Sequence, residues 1–443
     1  MDDLRAALMP TTPESWWILI VSAMTSVSCA LVGCFLVLRR MSLLGDALAH
    51  AVLPGLVIAF IWSGSLAIGT MFVGAFLIGL LTTFLTETLH RRGGVAADAS
   101  MGIVFTSLFA LGVVLIKRYA QGVHLDADCV FQGQLSVMPF YQAHVLGYDL
   151  TLFGHAVPRA FASIAPTLVL NSLFTIAFWK ELKISSFDPG LATALGLKAS
   201  LMQYGLMALV AATAVGSFEA VGSILVIAML IVPAATAQLL CDRLLSMIGV
   251  AVVVALGMAY FGYVFATQID AEPAGMMAVM GGVFYSSAAA FAPRYGIVST
   301  LVRNRQTSLR IVREDLLAML YRLEELASGR RLSARQAVEA VGGGAAPRWA
   351  LGSLVRRGLV AHTADTLQLT DAGRREAKAL VRSHRLWEGY LVRFLGLPLD
   401  HVHVPAERME HFIGDELASD IAVDLGGVQT DPHGREIPEV TKP

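Results

Sequence analysis

Long apolar runs alternate with short polar connections through the first two thirds of the chain. About twenty apolar residues are needed to cross the hydrocarbon core of a bilayer as an α-helix. Stretches near this length predict about eight or nine transmembrane helices, and the division near Gly216 decides between these counts. The runs are Trp16–Leu38, Leu44–Trp62, Ala67–Leu85, Ser100–Ile116, Ile164–Trp179, Leu201–Val215, Val221–Leu240, Met247–Phe265 and Met276–Phe291.

The pattern changes near residue 300, where amphipathic and alternating segments replace the apolar runs. Arg310–Ser328 has apolar residues at helical spacing, Ser333 can cap a second helix, and Ala346–Arg357 can form a third. Gly358–Gly373 then reads as two short alternating strands followed by a helix cap at Thr370. This order is typical of a winged helix. We therefore predict a mainly α protein with a transmembrane domain at 1–300, a winged-helix domain at 301–375 and a further helical domain at 376–443.

Composition supports this division. The chain has 443 residues, is 56% hydrophobic and has a mean hydropathy of +0.64, which excludes an ordinary soluble protein. Residues 301–443 hold 39 of the 67 Lys, Arg, Asp and Glu side chains. The net charge of −1 gives no bulk electrostatic signal for nucleic-acid binding. No nucleophile–base arrangement is evident, which argues against an enzyme.

The positive charges next to the apolar runs predict the orientation. Most of them fall on one side of the predicted bundle, which the positive-inside rule assigns to the cytoplasm. The protein is therefore expected to be a multi-pass protein of the cell (inner) membrane with its last third in the cytoplasm. The charges concerned are Arg39, Arg40, Arg91, Arg92, Lys180, Lys183, Lys198, Arg243 and those of the stretch 294–310.

Two ionisable residues interrupt the second apolar run, in the stretch Arg39–Gly55 (RRMSLLGDALAHAVLPG). Asp46 and His50 are four residues apart, so they share one face of a helix. Ionisable groups in hydrocarbon are costly unless they face a partner or a wet path. Asp46 could cap a helix and His50 could bond a neighbouring helix. The alternative is a pair of ligands for a divalent cation that crosses the membrane.

A short polar connection, ISSFDPGLATALGLK, joins the fifth and sixth runs. Phe187-Asp188-Pro189 is a helix-start signal, with Asp188 at the cap and Pro189 at the first helical position. Small residues such as Ala192 and Gly196 follow. This helix suits docking to a partner protein, although it could be only a surface connector.

Histidine and glutamate cluster twice near the end of the chain. HRLWE places His384 and Glu388 one helical turn apart, and VHVPAERMEH contains His403, Glu407, Glu410 and His411. One such pair would usually be a surface ion pair, but two neighbouring clusters favour a metal site. Mixed carboxylate and imidazole ligands suit manganese, iron or zinc.

The membrane half resembles the permease subunits of ABC transporters that import manganese, zinc or iron. The stretches GDALAHAVLPG, FDPGLATALG and VGSILVIAMLIVPAATAQLL carry this resemblance, which extends over Trp16–Pro293. It implies that Asp46 and His50 line the metal path and that Ser186–Leu197 is the coupling helix. The chain has no G-x-x-x-x-G-K-[ST] phosphate loop, so a separate ATPase subunit is expected. The resemblance also implies an external metal-binding protein and a second permease subunit, identical or different.

The last third contains the stretches LTDAGRREAKALVRSHRLWEGYLVRFLG, VHVPAERMEH and DPHGREIP, and through them it resembles the iron- and manganese-dependent repressors. The resemblance implies that residues 376–443 form a metal-sensing or dimerisation domain. Glu407 stands where the iron-responsive branch has cysteine, which favours Mn²⁺ over Fe²⁺ or Zn²⁺, whereas Ala318 replaces a carboxylate of the manganese branch. The metal ligands implied by the resemblance are Asp315, His384, Glu407, Glu410 and His411, with a second site at His384, Glu388 and His403. Contacts to operator DNA would fall to Arg348, Ser353, Arg356 and Arg357.

Together these features predict a metal-import permease with a fused metal-responsive regulator. A membrane-anchored transcriptional regulator is the alternative, although it would not need the coupling stretch. A secondary transporter driven by ion gradients is the third hypothesis.

Overall fold

The computed structural model describes residues 12–41, 45, 47, 51–64, 68–119, 133, 135–142, 144–145, 148–149, 151–152, 155–326, 332–363 and 366–439. It divides into two compact units, Met1–Ser299 and Thr300–Pro443. Each unit has its own buried apolar core. The finer division near residue 375 stays a prediction.

The first unit is a helical bundle. Seven helices in the described part of the chain are long and apolar enough to cross a membrane. Two shorter apolar stretches, Leu53–Ser63 and Leu225–Leu240, overlap the remaining two predicted runs. The helices are α1 (Pro13–Leu38), α2 (Leu53–Ser63), α3 (Ile68–Gly93), α4 (Ala97–Tyr119), α5 (Arg159–Ala177), α6 (Trp179–Phe187), α7 (Pro189–Ala194), α8 (Ala199–Val221), α9 (Ser223–Leu240), α10 (Leu244–Ile269) and α11 (Pro273–Phe291). Two-residue antiparallel strands pair as β1 (His144–Val145) with β2 (Tyr148–Asp149) and β3 (Thr151–Leu152) with β4 (His155–Ala156).

Helices α1 and α8 lie at the centre of the bundle, because 61% and 67% of their apolar windows are buried. Asn171 on α5 connects them. Its Nδ2 donates to Ser28 Oγ of α1 at 2.8 Å and to Thr213 Oγ1 of α8 at 2.7 Å. Hydrogen bonds between helices of this kind stabilise bundles in membranes, where apolar burial alone discriminates little between helices and lipid.

The break between α8 and α9 differs in position from the sequence expectation. Helix α8 continues through Gly216 to Val221, and the chain turns at Gly222, whose φ is 82°. A backbone angle of this sign is accessible to glycine without a steric penalty. Gly216 is helical and packs closely, since a Cβ there would lie 3.1 Å from Thr167 Oγ1.

Pro54 and Gly55 lie at the start of α2, where this helix meets α3. Pro54 lies in the first turn of α2, which begins after Val52. A Cβ on Gly55 would lie 2.3 Å from the carbonyl oxygen of Gly74 on α3. The absence of a side chain therefore lets α2 and α3 cross in backbone contact.

The second unit has the helix, helix and two-stranded sheet order predicted for a winged helix, followed by further helices. Ser333 and Gln336 form the capping box of the second helix, and Thr370 Oγ1 accepts the Gly373 N–H at 3.1 Å. The strands pair antiparallel, with Val360 opposite Leu369. The elements are α12 (Ile297–Glu325), α13 (Ala334–Ala340), α14 (Ala345–Arg356), β5 (Val360–Thr363), β6 (Thr366–Leu369), α15 (Asp371–Leu395), α16 (His403–Met409) and α17 (Asp415–Asp424).

A buried arginine ties α15 to α12 and to the last described segment. The Arg385 side chain is 4% exposed, and its two terminal nitrogens donate to the Glu325 carboxylate at 3.0 and 2.5 Å. Arg385 Nε lies 3.6 Å from Asp431 Oδ2, and the guanidinium also contacts the Glu436 carbonyl. The guanidinium thus joins segments that are far apart in the sequence.

We expect Arg385→Ala to lower the free energy of unfolding of the second unit by about 3 kcal/mol, because it leaves the buried Asp431 carboxylate without its cation. Urea unfolding of a fragment from Ile297 to Pro443, followed by circular dichroism, measures this loss. Arg374→Ala is the matched control on the same helix. Arg374 pairs with Glu324 at 42% exposure, so its loss should cost less than about 1 kcal/mol. Equal effects of the two substitutions would contradict the role assigned to Arg385.

Candidate metal centre

Helix α15 carries the first predicted pair on its buried face. His384 and Glu388 are 7% and 1% exposed. His384 Nε2 lies 3.1 Å from Glu388 Oε1, as the spacing of four residues requires. A helix that starts at the Thr370 cap and ends before Gly396 at φ 64° holds both side chains.

Helix α16 and the turn after it separate the remaining predicted residues. The helix ends at Met409, so Glu410 and His411 lie in the turn that follows. Glu410 is 2% exposed and the His411 side chain is 3% exposed, whereas Glu407 is exposed. The structure therefore brings Glu410 and His411 inward, and Glu407 is not part of the ligand groups formed by the described residues.

The first ligand group combines Asp315 of α12 with Glu410 and His411. One donor atom from each residue lies within 4.8 Å of the others. His411 Nε2 is 3.2 Å from Asp315 Oδ1, and Glu410 Oε1 is 4.0 Å from the same nitrogen. His411 Nδ1 contacts Glu314 Oε2 at 2.7 Å. Two carboxylates and an imidazole thus converge, while a third carboxylate orients the ring.

The second ligand group surrounds Glu388. His384, Glu388 and His403 form one trio of neighbouring donors, and Glu388, Asp431 and His433 form another. Glu388 Oε1 lies 2.5 Å from His403 Nδ1, and its Oε2 lies 3.8 Å from His433 Nδ1. The His403 and His433 rings stack with centroids 4.5 Å apart. Glu388 therefore presents one oxygen to each trio.

His384 and Glu410 join the two groups into one network. His384 Nδ1 lies 2.5 Å from Glu410 Oε2, while its other nitrogen faces Glu388. Arg322 Nη2 lies 3.4 Å from the same Glu410 oxygen. A change at either residue therefore reaches both groups.

The surroundings of His384 and His411 favour the protonated form of both rings when no metal is bound. Burial lowers the pKa of His411, but hydrogen bonds to Asp315 and Glu314 outweigh it and raise this pKa to about 9. Burial likewise lowers the pKa of His384, and bonds to Glu388 and Glu410 raise it by more. Burial raises the pKa of Glu388, and the bond to His384 lowers it overall. Without a metal, the protons on His384 and His411 therefore stabilise the neighbouring carboxylates, which a bound cation would otherwise do.

Manganese binding is therefore expected to strengthen as the pH rises from 6.5 toward 9. A metal ion needs neutral imidazole, and His411 is mostly protonated below its pKa of about 9. Each displaced proton should change Kd by about tenfold per pH unit in this range. Competition titrations of the full-length chain in detergent, with proton release recorded in weak buffer, measure the effect. A Kd independent of pH would exclude His411 as a ligand.

Three residues of this network were not identified as ligands from the sequence. Asp431 and His433 lie in the DPHGREIP stretch that resembles the repressors, so a signal was present. Asp431 Oδ1 accepts the backbone N–H of His433 and of Arg435 at 2.9 and 2.8 Å. Glu314 gave no separate signal, because it is one of many charged residues on an amphipathic helix.

The expected coupling residues form a short capped helix. Asp188 Oδ1 accepts the backbone N–H three residues later at 2.9 Å, and Pro189 is the first residue of α7. Ala192 is fully buried, whereas Phe187 is 60% exposed. Gly196 follows the helix with a φ of 77°. The helix start predicted from the sequence is thus present, with an aromatic side chain exposed beside it.

The residues expected to contact DNA do not share one surface. Arg348, Arg356 and Arg357 are exposed. Ser353 is 7% exposed and lies on the face of α14 that packs against the core. The three arginines are accessible to a phosphate backbone, whereas Ser353 is not.

Three further residues were singled out from the sequence. Asp46 and His50 lie outside the described residues. Ala318, the position where the resemblance implies a lost carboxylate, is 2% exposed in the core of the second unit.

The donor atoms of the two ligand groups are hard or borderline Lewis bases. It contains carboxylates and imidazoles, and the described cysteines (Cys29, Cys34 and Cys241) all lie in the first unit. Such donors fit Mn²⁺, Fe²⁺ or Zn²⁺ and disfavour soft ions such as Cu⁺.

Two family models match different parts of the chain. Residues 15–292 match the ABC 3 transport family. Residues 370–439 match the iron dependent repressor, metal binding and dimerisation domain. The second match includes the residues of both ligand groups except Asp315.

Known proteins are similar over the same parts. The manganese transport system membrane protein MntD of Bacillus subtilis is 45% identical over 287 residues, which cover 65% of this chain and 95% of that protein. A probable metal transport system membrane protein of Chlamydia trachomatis is 29% identical over 442 residues and matches across 93% of both chains. The solved structure of PsaBC from Streptococcus pneumoniae in complex with Fab has a TM-score of 0.55 at 27% identity. It covers 67% of this chain and 98% of that one.

Proposed function

Because the chain belongs to the ABC 3 transport family, we propose that it is the membrane permease subunit of an ATP-driven importer of divalent transition-metal ions. Manganese is the favoured cargo, with zinc and iron as alternatives. The family match over residues 15–292 carries this proposal. The similarity to a manganese transport membrane protein supports the choice of metal.

Asp46 and His50 are the residues that would hold the metal during its passage. Their spacing of four residues puts a carboxylate and an imidazole on one helical face within an apolar segment. Such a pair offers oxygen and nitrogen donors suited to manganese. The observation in support is the spacing, together with the family match across this stretch.

The coupling segment (Ser186–Leu197) would receive the movement of a separate ATPase subunit. Its exposed Phe187 and its rigidly capped α7 suit a docking surface. An external metal-binding protein would deliver the cation, and a second permease subunit, identical or different, would complete the core. The positive residues beside the apolar runs support a cytoplasmic coupling segment and a cytoplasmic second unit.

The second unit would act as a metal-responsive regulator. Its two ligand groups fit divalent cations, with Asp315, Glu410 and His411 as one site and Glu388 at the centre of the other. When bound, the cation would supply positive charge in place of the protons on His384 and His411. Arg322 already balances part of the negative charge of Glu410.

Reconstitution in lipid vesicles tests the proposed function. The full chain and a phosphate-loop ATPase encoded beside it would be placed in vesicles with the external binding protein, and uptake of radiolabelled manganese would be followed. We expect uptake that requires ATP and that responds to manganese on the side of the second unit. Vesicles that hydrolyse ATP without accumulating manganese, zinc or iron would overturn the proposal.

A membrane-anchored metal-dependent transcriptional regulator is the second candidate. The exposed Arg348, Arg356 and Arg357 on and beside α14 favour it. Fluorescence anisotropy with DNA from upstream of the gene distinguishes the two. Manganese-dependent, sequence-specific binding would support a regulator that acts on DNA, and binding insensitive to sequence and metal would count against it.

A further inference from the structure

The turn after α1 has a fixed geometry. The N–H of Arg40 donates to Val37 O, and the N–H of Met41 donates to Leu36 O, each at 3.0 Å. Arg40 has a φ of 58°, which is unfavourable for a residue with a side chain. The paired hydrogen bonds hold this conformation. The backbone from Leu36 to Met41 is therefore fixed by this turn.

Arg39, at the start of this turn, reaches the end of α6. Its Nη2 donates to Ser185 Oγ at 2.8 Å, and its Nε donates to Ser186 Oγ at 3.1 Å. Both serines are buried, at 3% and 8% exposure. The two serines immediately precede Phe187 and Asp188. The guanidinium therefore binds the chain just before α7 begins. Hydrogen bonds with a charged partner are stronger than those between neutral groups.

A cavity of about 720 Å³ lies beside these contacts, bordered by Arg39, both serines and α7. Pro189 and Thr193 form part of its wall. The first two turns of the coupling segment therefore have free space on this side. Movement of the coupling segment into that space would displace the two serines and act on Arg39 through its two hydrogen bonds.

We infer that Arg39 is a positioning residue that transmits movement of the coupling segment to the stretch carrying Asp46 and His50. The inference rests on the proposed ATP-driven transport. Two hydrogen bonds from one planar guanidinium define both the distance and the orientation between the end of α1 and the end of α6. Asp46 follows Arg39 by seven residues, beyond a turn whose geometry is fixed. A displacement of the two serines therefore moves Arg39 and, with it, the turn that ends α1.

The test measures ATP hydrolysis and manganese uptake in the same reconstituted vesicles. Arg39→Lys keeps the charge but loses the two-pronged geometry, and Ser185→Ala with Ser186→Ala removes the acceptors. We expect each change to lower the manganese moved per ATP by about tenfold, the effect of losing charged hydrogen bonds. ATP hydrolysis should stay within about twofold of the unaltered protein. Combining both changes should add little, because they remove the same interaction.

Lys183→Gln is the control, since Lys183 is an exposed cation on α6. It should leave the ratio of manganese to ATP unchanged. An unchanged ratio in the Arg39 and serine variants would overturn the inference, as would a parallel fall of hydrolysis, uptake and thermal stability. Vesicles with the unaltered protein that hydrolyse ATP without moving metal would overturn the proposed function and this inference with it. Transport by the unaltered protein with an unchanged ratio in the variants would overturn the inference alone.

Discussion

Replacement of Asp46 by asparagine, or of His50 by alanine, is expected to abolish manganese uptake by vesicles that contain the assembled transporter. Asparagine keeps the size of the side chain but removes the negative charge that a cation needs in an apolar segment. Alanine removes the nitrogen donor altogether. Loss of an outer-shell partner of a metal ligand already costs about 10–100-fold, so loss of either proposed ligand should lower uptake by at least about 100-fold.

Asp98→Asn is the matched control for this experiment. Asp98 is an exposed carboxylate in the first turn of α4 of the same unit. Its substitution removes one negative charge without touching the proposed path, so uptake should stay near that of the unaltered protein. Size-exclusion profiles in detergent would verify that all three variants are folded. Normal uptake by folded Asp46 and His50 variants would move the metal path elsewhere in the bundle.

Replacement of Glu410 by glutamine is expected to have the largest effect on the second unit. Glu410 contributes to the group with Asp315 and His411, and it also accepts the hydrogen bond of His384. The amide removes a charge that both ligand groups share through this network. We expect the affinity for manganese to fall by at least about 100-fold, or about 2.7 kcal/mol. Calorimetry on the full-length chain in detergent, at constant pH, measures the change.

Glu407→Gln is the informative comparison for Glu410. Both residues stand in the VHVPAERMEH stretch, and the resemblance to the repressors implies that both bind metal. In the structure Glu410 is buried among donors, whereas Glu407 is exposed outside the two groups. The Glu407 variant should therefore bind manganese almost normally. An equal loss in both variants would show that the metal draws Glu407 into the site.

Much of the membrane unit could be predicted from the order of apolar residues. A span of about twenty apolar residues has few alternatives to a helix, because backbone hydrogen bonds must be satisfied within the segment. The boundary between α8 and α9 was harder to place. Gly216 and Gly222 look alike in the sequence, and only the φ of 82° at Gly222 identifies the turn. Likewise, the contact of Arg39 with Ser185 and Ser186 joins residues 146 and 147 positions apart.

Local spacing determined the helical pair of the candidate metal centre. His384 and Glu388 face each other because four residues make about one turn of a helix. The Asp188 cap of α7 and the Thr370 cap of α15 likewise follow from residues three positions apart. The sequence by itself therefore specified these elements and their donor residues, since their geometry needs no contact beyond one turn.

The tertiary structure decided which donors converge. His411 meets Glu314 across 97 positions, and Glu388 has His433 beside it although they stand on separate elements. The helix end at Met409 directs Glu410 inward and leaves Glu407 exposed, a choice that the spacing of these residues did not determine. Such contacts depend on how α12, α15, α16 and the last described segment pack together. Packing is a property of the whole buried core, which is why the stretch around each ligand could not reveal it.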